Sequence, residues 1–395
     1  MSITNVNQNK PYRFAIIGGG GYLGQVLAKE LLQEGHEVAI LDLNFAKFDS
    51  IELNWKKVTV VKGSLLDVQK LQTVLKGADA CFHLAAYGMS GGASLDKELT
   101  HLINVEGTKK VIEQCQISGV KRLIYTSTVG VVVGEEEVYN LPTSAPYLSK
   151  FLTPYAESKC IAEKLVLESG RSGKLATCAL RLRGIFGPGE LRCTQKTLDN
   201  CNWVLATFKK TDPCLCQYSG AENTTMALRL FEISLRQGSA SPTNGNPYFI
   251  VDEGAVDNFG FWYPLFKVRG ARLPQFNIPY KLVYFIAFLF ECLYYAFKIE
   301  PLITRLEVNL LAMTNTYSIE EAKRDFGYAP TNNHSLKKTV EYYEDLEIRK
   351  RSLLHRKKQT TAQSESFWSQ ILKCVAIGLF LSCIMPILKA ICNRP

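Results

Sequence analysis

The chain has 395 residues, 47% of them hydrophobic and 21% charged, so it is long enough for one large domain or two ordinary ones with a substantial core. The formal net charge is +9, but the segment 349–395 alone carries nine lysines and arginines against one glutamate. The rest of the chain is therefore nearly neutral, and it lacks the basic balance typical of a nucleic-acid-binding domain. We expect no nucleic acid among its partners.

Twelve cysteines are scattered along the chain, and no two of them have the CxxC spacing of a zinc clip. Cys214 and Cys216 stand too close together for a usual clip, and no pair of histidines completes one. We therefore expect buried thiols in a reducing compartment and no metal. The polar N-terminus, 1–13, lacks the apolar run of a secretory signal.

In chain order, the first half alternates short apolar runs with segments of helical periodicity. Helical spacing runs from Gly21 to Glu34, and Gly35 suits a C-terminal cap. Strands that alternate with helices form βαβ units, in which the strands are parallel and the crossovers are right-handed. The pattern therefore predicts an α/β fold with a Rossmann-type doubly wound sheet over 12–190. The predicted strands are RFAII, EVAILD, KVTVVKG, DACFHLAA, RLIYTST and LATCALR.

The second half is less regular. Periodicity is poor over 192–240, and order resumes at NPYFIVDEG, so we expect 191–345 to form a smaller substrate-binding part. Within it, the aromatic segment 282–297 carries one charge, Glu291, and is either a buried helix or a membrane-facing one.

The C-terminus ends in a second apolar segment. Its uncharged run, 374–388, is about two-thirds of a usual span, but Lys373 and Lys389 can snorkel and lengthen the usable helix. A basic and polar linker, 346–367, precedes it. An amphipathic helix folded onto the body is the alternative, but we expect a transmembrane anchor over 368–392, with the preceding positive charge placing the body in the cytosol.

A glycine loop opens the chain's first βα unit. Gly18, Gly21 and Gly24 follow a strand and begin a helix, with Tyr22 and Leu23 between the last two. Glycines in this position let the backbone approach a pyrophosphate, which the helix N-terminus attracts. Asp42 ends the next strand, where a carboxylate accepts hydrogen bonds from ribose hydroxyls and repels a 2′-phosphate, so the pair predicts NAD rather than NADP. The alternative for the loop is a simple glycine-rich turn, and the alternative for Asp42 is a turn residue at the end of a strand.

A second group of residues carries proton-transfer chemistry. Tyr155 and Lys159 are four residues apart, so on a helix they share one face, and Thr153–Pro154 suits the helix start. A lysine beside a phenol lowers the phenol pKa and makes it a competent general acid or base. At the end of the RLIYTST strand, the hydroxyl of Thr128, or of Ser127 in its place, is positioned to orient a substrate oxygen.

With these motifs the chain resembles an extended short-chain dehydrogenase/reductase. It is most similar to the 3-beta-hydroxysteroid dehydrogenase/isomerase family, and within it to the subgroup called family 42E. The resemblance covers roughly 14–189 and 247–330 and rests on stretches such as IIGGGGYLG, NVEGTKKVIEQC, PYAESKCIAEKLVLE, CALRLRGIFGPGE and YSIEEAKRDFGYAP.

The resemblance implies roles for individual residues. The glycines match the family's pyrophosphate loop, Asp42 its NAD-selecting acid, Tyr155 its proton-transfer residue, and Lys159 the residue that tunes it and binds the nicotinamide ribose. Thr128 matches the substrate-orienting hydroxyl. The residues implied to lie along the rest of the cofactor are Ser64, Leu65, Leu84, Ala85 and Ala86.

The chain also departs from the family pattern. Serine stands at 64 where the family often has an acid, and Leu182 stands where it usually has proline. The whole region 192–240, which normally builds part of the substrate pocket, differs from the pattern although its length is kept.

The sequence therefore predicts an NAD-dependent oxidoreductase that acts on a secondary alcohol or ketone of a steroid or sterol. The expected partners are that substrate and a membrane, and the sequence is also compatible with a homo-oligomer. The expected location is the endoplasmic reticulum membrane. The alternatives are a nucleotide-sugar epimerase or dehydratase, and a membrane-tethered NAD-binding scaffold with little turnover.

Overall fold

A computed structural model describes residues 11–201 and 206–353. The chain divides into two units, Met1–Val340 and Glu341–Pro395. In the second unit the described residues, 341–353, are helical, and the predicted anchor at 368–392 lies outside the described residues. The strands described are β1 (Arg13–Ile17), β2 (Glu37–Asp42), β3 (Val58–Lys62), β4 (Ala80–His83), β5 (Arg122–Thr128), β6 (Val138–Leu141), β7 (Ala176–Leu182), β8 (Ile185–Phe186), β9 (Ala206–Thr207), β10 (Leu215–Cys216), β11 (Ser219–Gly220), β12 (Asn246–Ile250), β13 (Val256–Asp257), β14 (Phe276–Asn277) and β15 (Asn315–Tyr317).

Seven of these strands form the main sheet, in the order β12-β7-β5-β4-β1-β2-β3, and every neighbouring pair is parallel. Strands covered on both faces need near-continuous apolar runs, which is what their sequences provide. The six strands predicted in the first half are all present, and NPYFIVDEG supplies β12. The predicted Rossmann-type parallel sheet is confirmed.

Helices cover both faces of this sheet. The helices described are α1 (Tyr22–Gln33), α2 (Val68–Leu75), α3 (Lys97–Thr100), α4 (Gly107–Ile117), α5 (Pro154–Arg171), α6 (Lys196–Asn200), α7 (Ala221–Leu235), α8 (Tyr263–Val268), α9 (Tyr280–Phe297), α10 (Arg305–Ala312) and α11 (Glu320–Phe326). One apolar core joins the sheet to α2, α4 and α5, and a second joins its other face to α1, α7 and α11.

Local sequence signals account for the helix ends near the sheet. Gly35 has a positive φ of 83° just after α1, as expected for a C-terminal cap. The Thr153 side chain accepts a hydrogen bond from the Ala156 N–H and caps α5, with Pro154 at its first position.

The described residues of 192–240, which are 192–201 and 206–240, contain more regular structure than their sequence pattern suggests. They include α7, a fifteen-residue helix whose buried face includes Leu228, Phe231 and Leu235. Threonine, asparagine and glutamate are buried on the same helix, so its apolar periodicity is weak. The helix is set by packing against the main sheet, which the local pattern does not reveal.

Three strands of the later part of the first unit form a small mixed sheet with β6 from the first half, in the order β13-β10-β15-β6. The later part also contains the packed helix pair α9 and α10. The segment expected at 282–297 is α9, and it lies mostly at the surface. Among its residues only Ala287, Glu291 and Tyr294 are buried, and the Glu291 carboxylate is held by Arg305 at 2.7 Å. Of the two alternatives for this segment, a buried helix is wrong.

Candidate active site

The glycine loop runs from the end of β1 into α1. Gly18 has φ +87°, and a side chain there would meet the Ala85 backbone nitrogen at 2.4 Å. A Cβ at Gly24 would lie 2.4 Å from the Gly19 Cα, so α1 packs directly on the loop. These two glycines hold the turn and its helix close against the ends of β1 and β4.

The loop leaves an open space at the start of α1. The one protein atom near a Cβ built on Gly21 is the Gly18 carbonyl oxygen, at 3.6 Å. Gly21 is the N-cap, and no side chain caps the helix there. Free N–H groups facing open space at the end of a twelve-residue helix fit a pyrophosphate, so this loop fits the dinucleotide that the sequence predicts.

Asp42 lies at the end of β2, beside that loop. Its carboxylate accepts hydrogen bonds from the Gly20 N–H at 3.0 Å and the Asn44 N–H at 3.1 Å. A side chain on Gly20 would collide with the Asn44 carbonyl oxygen and the Asp42 side chain. Gly20 is therefore a required position of the loop, in addition to the three glycines identified from the sequence.

The remaining predicted cofactor residues lie along the same edge of the sheet. Leu84 and Ala85 follow β4, and the N–H groups of both donate to the Ile17 carbonyl at 2.8 and 2.9 Å. Ala86 continues this strand end into a cavity. The Ser64 hydroxyl accepts a hydrogen bond from the Leu66 N–H. The Leu65 side chain is buried against Gly107, so a ligand at this position would contact the Leu65 backbone rather than its side chain.

Tyr155 and Lys159 lie in the first two turns of α5 and are both almost fully buried. The Lys159 Nζ donates to the Thr126 carbonyl at 2.6 Å and lies 4.1 Å from the centre of the Tyr125 ring. Because Thr126 belongs to β5, this bond fixes the lysine against the end of that strand. The predicted face of α5 therefore meets the sheet where β5 ends.

Burial determines the ionisation of both groups. Burial raises the pKa of Tyr155, and the Arg192 guanidinium opposes that rise. Burial also lowers the pKa of Lys159 to about 7, against the favourable charge of Glu163. The expected lowering of the tyrosine pKa by Lys159 is therefore not the dominant effect in the protein alone, since removal from water outweighs it.

The two candidate hydroxyls at the end of β5 differ in access. Ser127 is 5% exposed and its hydroxyl has no hydrogen-bond partner in the described structure. Thr128 is half-buried at the last position of the strand, and its oxygen accepts from the Gly130 N–H at 3.2 Å, which leaves its proton free for a ligand. Access favours Thr128.

A cavity of about 480 Å³ opens beside this edge. One wall is the segment from Ala86 to Ala93, and the other is the helical turn from Leu191 to Asn200. The loop in the first wall is tied to the end of α9, because the Gly92 N–H donates to the Glu300 carboxylate at 3.2 Å. For brevity we call this cavity the 86/192 groove.

Comparison with known proteins decides the family. Residues 15–280 match the model of the 3-beta hydroxysteroid dehydrogenase/isomerase family. The chain belongs to that family. It is an oxidoreductase of the short-chain dehydrogenase/reductase type, acting on CH–OH groups.

Two relatives are similar over most of their length. Short-chain dehydrogenase/reductase family 42E member 1 of Danio rerio is 32% identical over 389 residues, covering 95% of this chain and 97% of the relative. A 3-beta-hydroxysteroid dehydrogenase of Mycolicibacterium neoaurum is 33% identical, covering 85% of this chain and 92% of the relative. The predicted family and its 42E subgroup are confirmed.

Several solved structures have the same fold as this chain. An epimerase of Methanothermobacter thermautotrophicus is similar with a TM-score of 0.67 and 19% identity, covering 87% of this chain and 95% of that one. The Bordetella bronchiseptica enzyme WbmG, in complex with NAD, has a TM-score of 0.63 and 17% identity, with 86% and 96% covered.

Two features of this dehydrogenase's site were missed from the sequence. Asn104, on a π-helical turn, exchanges two hydrogen bonds with the Tyr87 backbone at 2.8 and 2.9 Å, and donates to the Ser158 hydroxyl at 2.9 Å. It ties the wall of the 86/192 groove to α5. The second feature is the basic pair in that groove, Arg192 and Lys196, whose spacing of four residues is the signal that places them on one helix face.

Over residues 11–201 and 206–353, no group of three His, Cys, Asp or Glu side chains is arranged to hold a metal. The nine cysteines of that part are free thiols, and seven of them are buried.

Proposed function

We propose that the chain oxidises the secondary alcohol of a steroid or sterol to a ketone, or catalyses the reverse reduction, at a membrane. The observation that carries this proposal is the placement of Tyr155 and Lys159 on one face of α5, against the end of β5 in the same parallel sheet whose first strand leads into the glycine loop. Binding a dinucleotide alone does not require this pair, so the arrangement favours turnover over a scaffold.

The cofactor is NAD, as the family and the NAD-bound relatives of the fold indicate. Within the chain, the free N–H groups at the start of α1 would hold its pyrophosphate and Asp42 its adenosine ribose. Leu84, Ala85 and Ala86 would lie along it, and Lys159 would bind the second ribose. We propose that Asp42 makes NAD the preferred dinucleotide over NADP.

The chain's own residues supply positioning and proton transfer. Thr128 would hold the substrate oxygen, and the Tyr155 phenol would exchange a proton with it. NAD supplies the hydride acceptor. Because burial raises the pKa of Tyr155, its phenolate needs a cation nearby, and the Arg192 guanidinium acts in that direction. Lys159, one turn further along the same face of α5, is the second cation that we assign to this task.

The steroid or sterol substrate is supported by the names of the relatives and by the exposed apolar face of α9, since such substrates partition into bilayers. We propose that the protein is attached to the endoplasmic reticulum membrane with its catalytic body on the cytosolic side. In the described residues, α9 is one helix long and apolar enough to cross a membrane. Family 42E relatives match almost the whole chain.

A nucleotide-sugar substrate is the second candidate, and one observation favours it. The 86/192 groove is lined by Arg192, Lys196, Asp199 and Asn200 on one side, which is more polar than a neutral sterol requires. The same fold occurs in an epimerase, but at 19% identity that likeness concerns the fold alone.

Replacement of Tyr155 tests the proposed chemistry. Tyr155→Phe removes the proton-exchanging hydroxyl and keeps the ring, so turnover of a responsive sterol should fall by about a hundredfold or more. Affinity for NADH should stay within about twofold. The assay is NADH formation by membranes carrying the protein, incubated with NAD and a sterol panel.

The matched control is Tyr139→Phe, because this tyrosine is 64% exposed on β6 and contacts neither α5 nor the groove. It should leave the rate unchanged. Undiminished turnover in Tyr155→Phe would remove Tyr155 from its proposed role.

A further inference from the structure

The 86/192 groove has two chemically different walls. The first, from Ala86 through Met89 to Ala93, is largely apolar, and it begins at the strand end that lines the cofactor site. The second presents Arg192 and Lys196 from consecutive turns of one helical segment, with Asp199 and Asn200 beyond them. A ligand that fills the groove meets an apolar surface on one side and cations on the other.

The cations of the second wall are weakly compensated by the protein. Arg192 makes no ion pair in the described structure, and Lys196 approaches one carboxylate, Glu307, at 3.9 Å. The acidic member, Asp199, has its own partners, since it accepts from Gln195 at 2.7 Å and lies 3.6 Å from Arg269. Of the charged side chains that line the groove, two are therefore cationic and one is acidic, and the acid is held by partners of its own.

The backbone at the start of this helical segment is already occupied. The buried Glu190 carboxylate accepts hydrogen bonds from the N–H groups of Arg192, Cys193 and Thr194 at 2.7 to 2.8 Å. An anion entering the groove would meet the side chains of Arg192 and Lys196 rather than free backbone donors. Side chains of this type bind carboxylate, sulfate and phosphate groups by charge-assisted hydrogen bonds.

The groove also lies close to the reacting groups. Ala86, on its first wall, continues the strand end formed by Leu84 and Ala85, and the Arg192 guanidinium on the second wall is near enough to Tyr155 to lower the pKa of its phenol. A molecule whose hydroxyl reaches Tyr155 can therefore extend along the groove and place a second group beside Arg192.

We propose that Arg192 and Lys196 bind an acidic group of the substrate, so that the enzyme acts on an alcohol with an apolar body and an anionic substituent. This inference rests on the proposed alcohol oxidation and narrows its substrate class. Two sources share the chemistry: an acidic steroid or sterol, and a nucleotide sugar with its phosphates.

The test compares two probes that differ in charge alone. They are a 3-beta-hydroxysteroid with a carboxylic acid on its side chain and the methyl ester of the same compound, with UDP-glucose as the third arm. Full-length protein loaded with NAD is assayed for kcat/KM and for the dissociation constant of each probe. The wild type should bind at least one anionic probe, the acid or UDP-glucose, about tenfold or more tightly than it binds the neutral ester.

The variants are Arg192→Gln, Lys196→Gln and their combination. The double variant should lose the preference for the anionic probe and bind the ester within about twofold of wild type. Lys174→Gln is the matched control, because it removes one charge from an exposed loop outside the groove and should change nothing. Unchanged NADH affinity in each variant verifies that the fold is retained.

The outcomes separate the subsite from the reaction. Equal binding of acid and ester by the wild type, with no binding of UDP-glucose, overturns the subsite, whether or not the ester is oxidised. Binding of an anionic probe that depends on Arg192 and Lys196 upholds the subsite, even if no alcohol is oxidised and the proposed reaction fails. Tighter binding of UDP-glucose than of the acid assigns the anion to a nucleotide sugar and upholds the subsite.

Discussion

Asp42 has two tasks at one carboxylate. Its oxygens accept from the Gly20 and Asn44 N–H groups, so it stabilises the glycine loop before any ligand binds. The lone pairs left on these oxygens remain available to ribose hydroxyls, because each carboxylate oxygen can accept more than one hydrogen bond. If Asp42 selects the dinucleotide as we propose, a substitution at this position should change both the loop and that selectivity.

Two substitutions distinguish these tasks. Asp42→Asn keeps a carbonyl oxygen for the loop but removes the charge that repels a 2′-phosphate, so the NADH-over-NADPH preference should fall by about tenfold or more with NADH affinity reduced less. Asp42→Ala also orphans the loop donors and should weaken both dinucleotides. The measurement is titration of each reduced dinucleotide by protein fluorescence.

Equal affinity of the wild type for the two dinucleotides would contradict the proposed selectivity. Asp49→Asn, an exposed acid on the following loop, is the control and should leave the preference intact.

At the scale of single residues, the sequence predicted those residues that can be identified from their type and their spacing alone. Tyr155 and Lys159 share a helix face because they are four residues apart, and Asp42 ends a strand because the apolar run ends there. The ionisation of Tyr155 was not predictable, since its burial depends on how α5 meets the sheet. Arg192 lies in a segment without clear periodicity, and its place in the groove comes from the packing of distant residues.

The helix α9 is unusual among the described elements because its large apolar side chains face outward. Phe285 is 55% exposed and Phe297 is 71% exposed, while the one acidic side chain of the helix, Glu291, is buried against Arg305. This inverts the usual helix of a water-soluble domain. Lys281 and Lys298 stand at its two ends, where a lipid headgroup region would accept them. The pattern favours a lipid-facing helix.

Polar substitutions on this face should weaken membrane association. Replacing Phe285, Phe288 and Phe297 together by serine removes roughly 1 kcal/mol or more of transfer free energy at each position. In a chain that also lacks 368–392, the membrane-bound fraction measured by flotation with liposomes should fall sharply, by about a hundredfold in partition coefficient.

The matched control is Ile117→Ser, because this side chain is 63% exposed on α4, away from α9. If the serine variant without 368–392 floats with liposomes as before, α9 is not a membrane contact. If deletion of 368–392 alone has no effect, α9 is sufficient for attachment.

At the scale of elements, the strands of the main sheet were predictable because each is a continuous apolar run bounded by turn residues. The helix α7 was not, because buried threonines and an asparagine interrupt its apolar face. For α9, the composition predicted a helix but did not decide whether that helix is buried in the protein or faces a membrane. Whether such a helix is covered depends on which other elements pack on it, and that is a property of the fold.

The whole first unit depends on a join between the main sheet and the later segments. Arg183, directly after β7, donates to the Asn315 side chain at 3.0 Å and to the Leu310 carbonyl, and its guanidinium lies 5.5 Å from the Tyr218 ring centre. These partners belong to α10, β15 and the segment before β11. One side chain thus connects the main sheet to the later segments of the unit.

Removing this join should destabilise the whole unit. Arg183→Met removes the charged hydrogen bonds from the guanidinium to Asn315 and to the Leu310 carbonyl, and although both oxygens keep another donor, the free energy of unfolding should fall by about 2 to 4 kcal/mol. Arg183→Lys restores one donor and should recover part of that loss. The measurement is the urea midpoint in detergent, with NADH affinity at low urea as a check on the folded state.

Arg171→Met serves as the control, because this exposed arginine in the last turn of α5 should change stability by less than about 0.5 kcal/mol. An Arg183→Met midpoint equal to that of wild type would show that the two parts are held together without this residue.

Sequence patterning predicted the class of this molecule better than its connections. Alternating strands and helices determine a parallel sheet, and its right-handed crossovers restrict the strand order. The small sheet of β13, β10, β15 and β6 joins strands from distant parts of the chain, two of them only two residues long. Such pairings are stabilised by tertiary contacts, so no local pattern contains them.

The hydrogen bond between Gly92 and Glu300 links the groove wall to the segment that follows α9. If α9 rests in a bilayer, the entrance to the groove lies at the lipid surface rather than in bulk water. The concentration that governs the rate is then the mole fraction of substrate among the surrounding lipids. Adding inert lipid at constant total sterol would dilute the substrate and slow the enzyme, although nothing in the aqueous phase had changed.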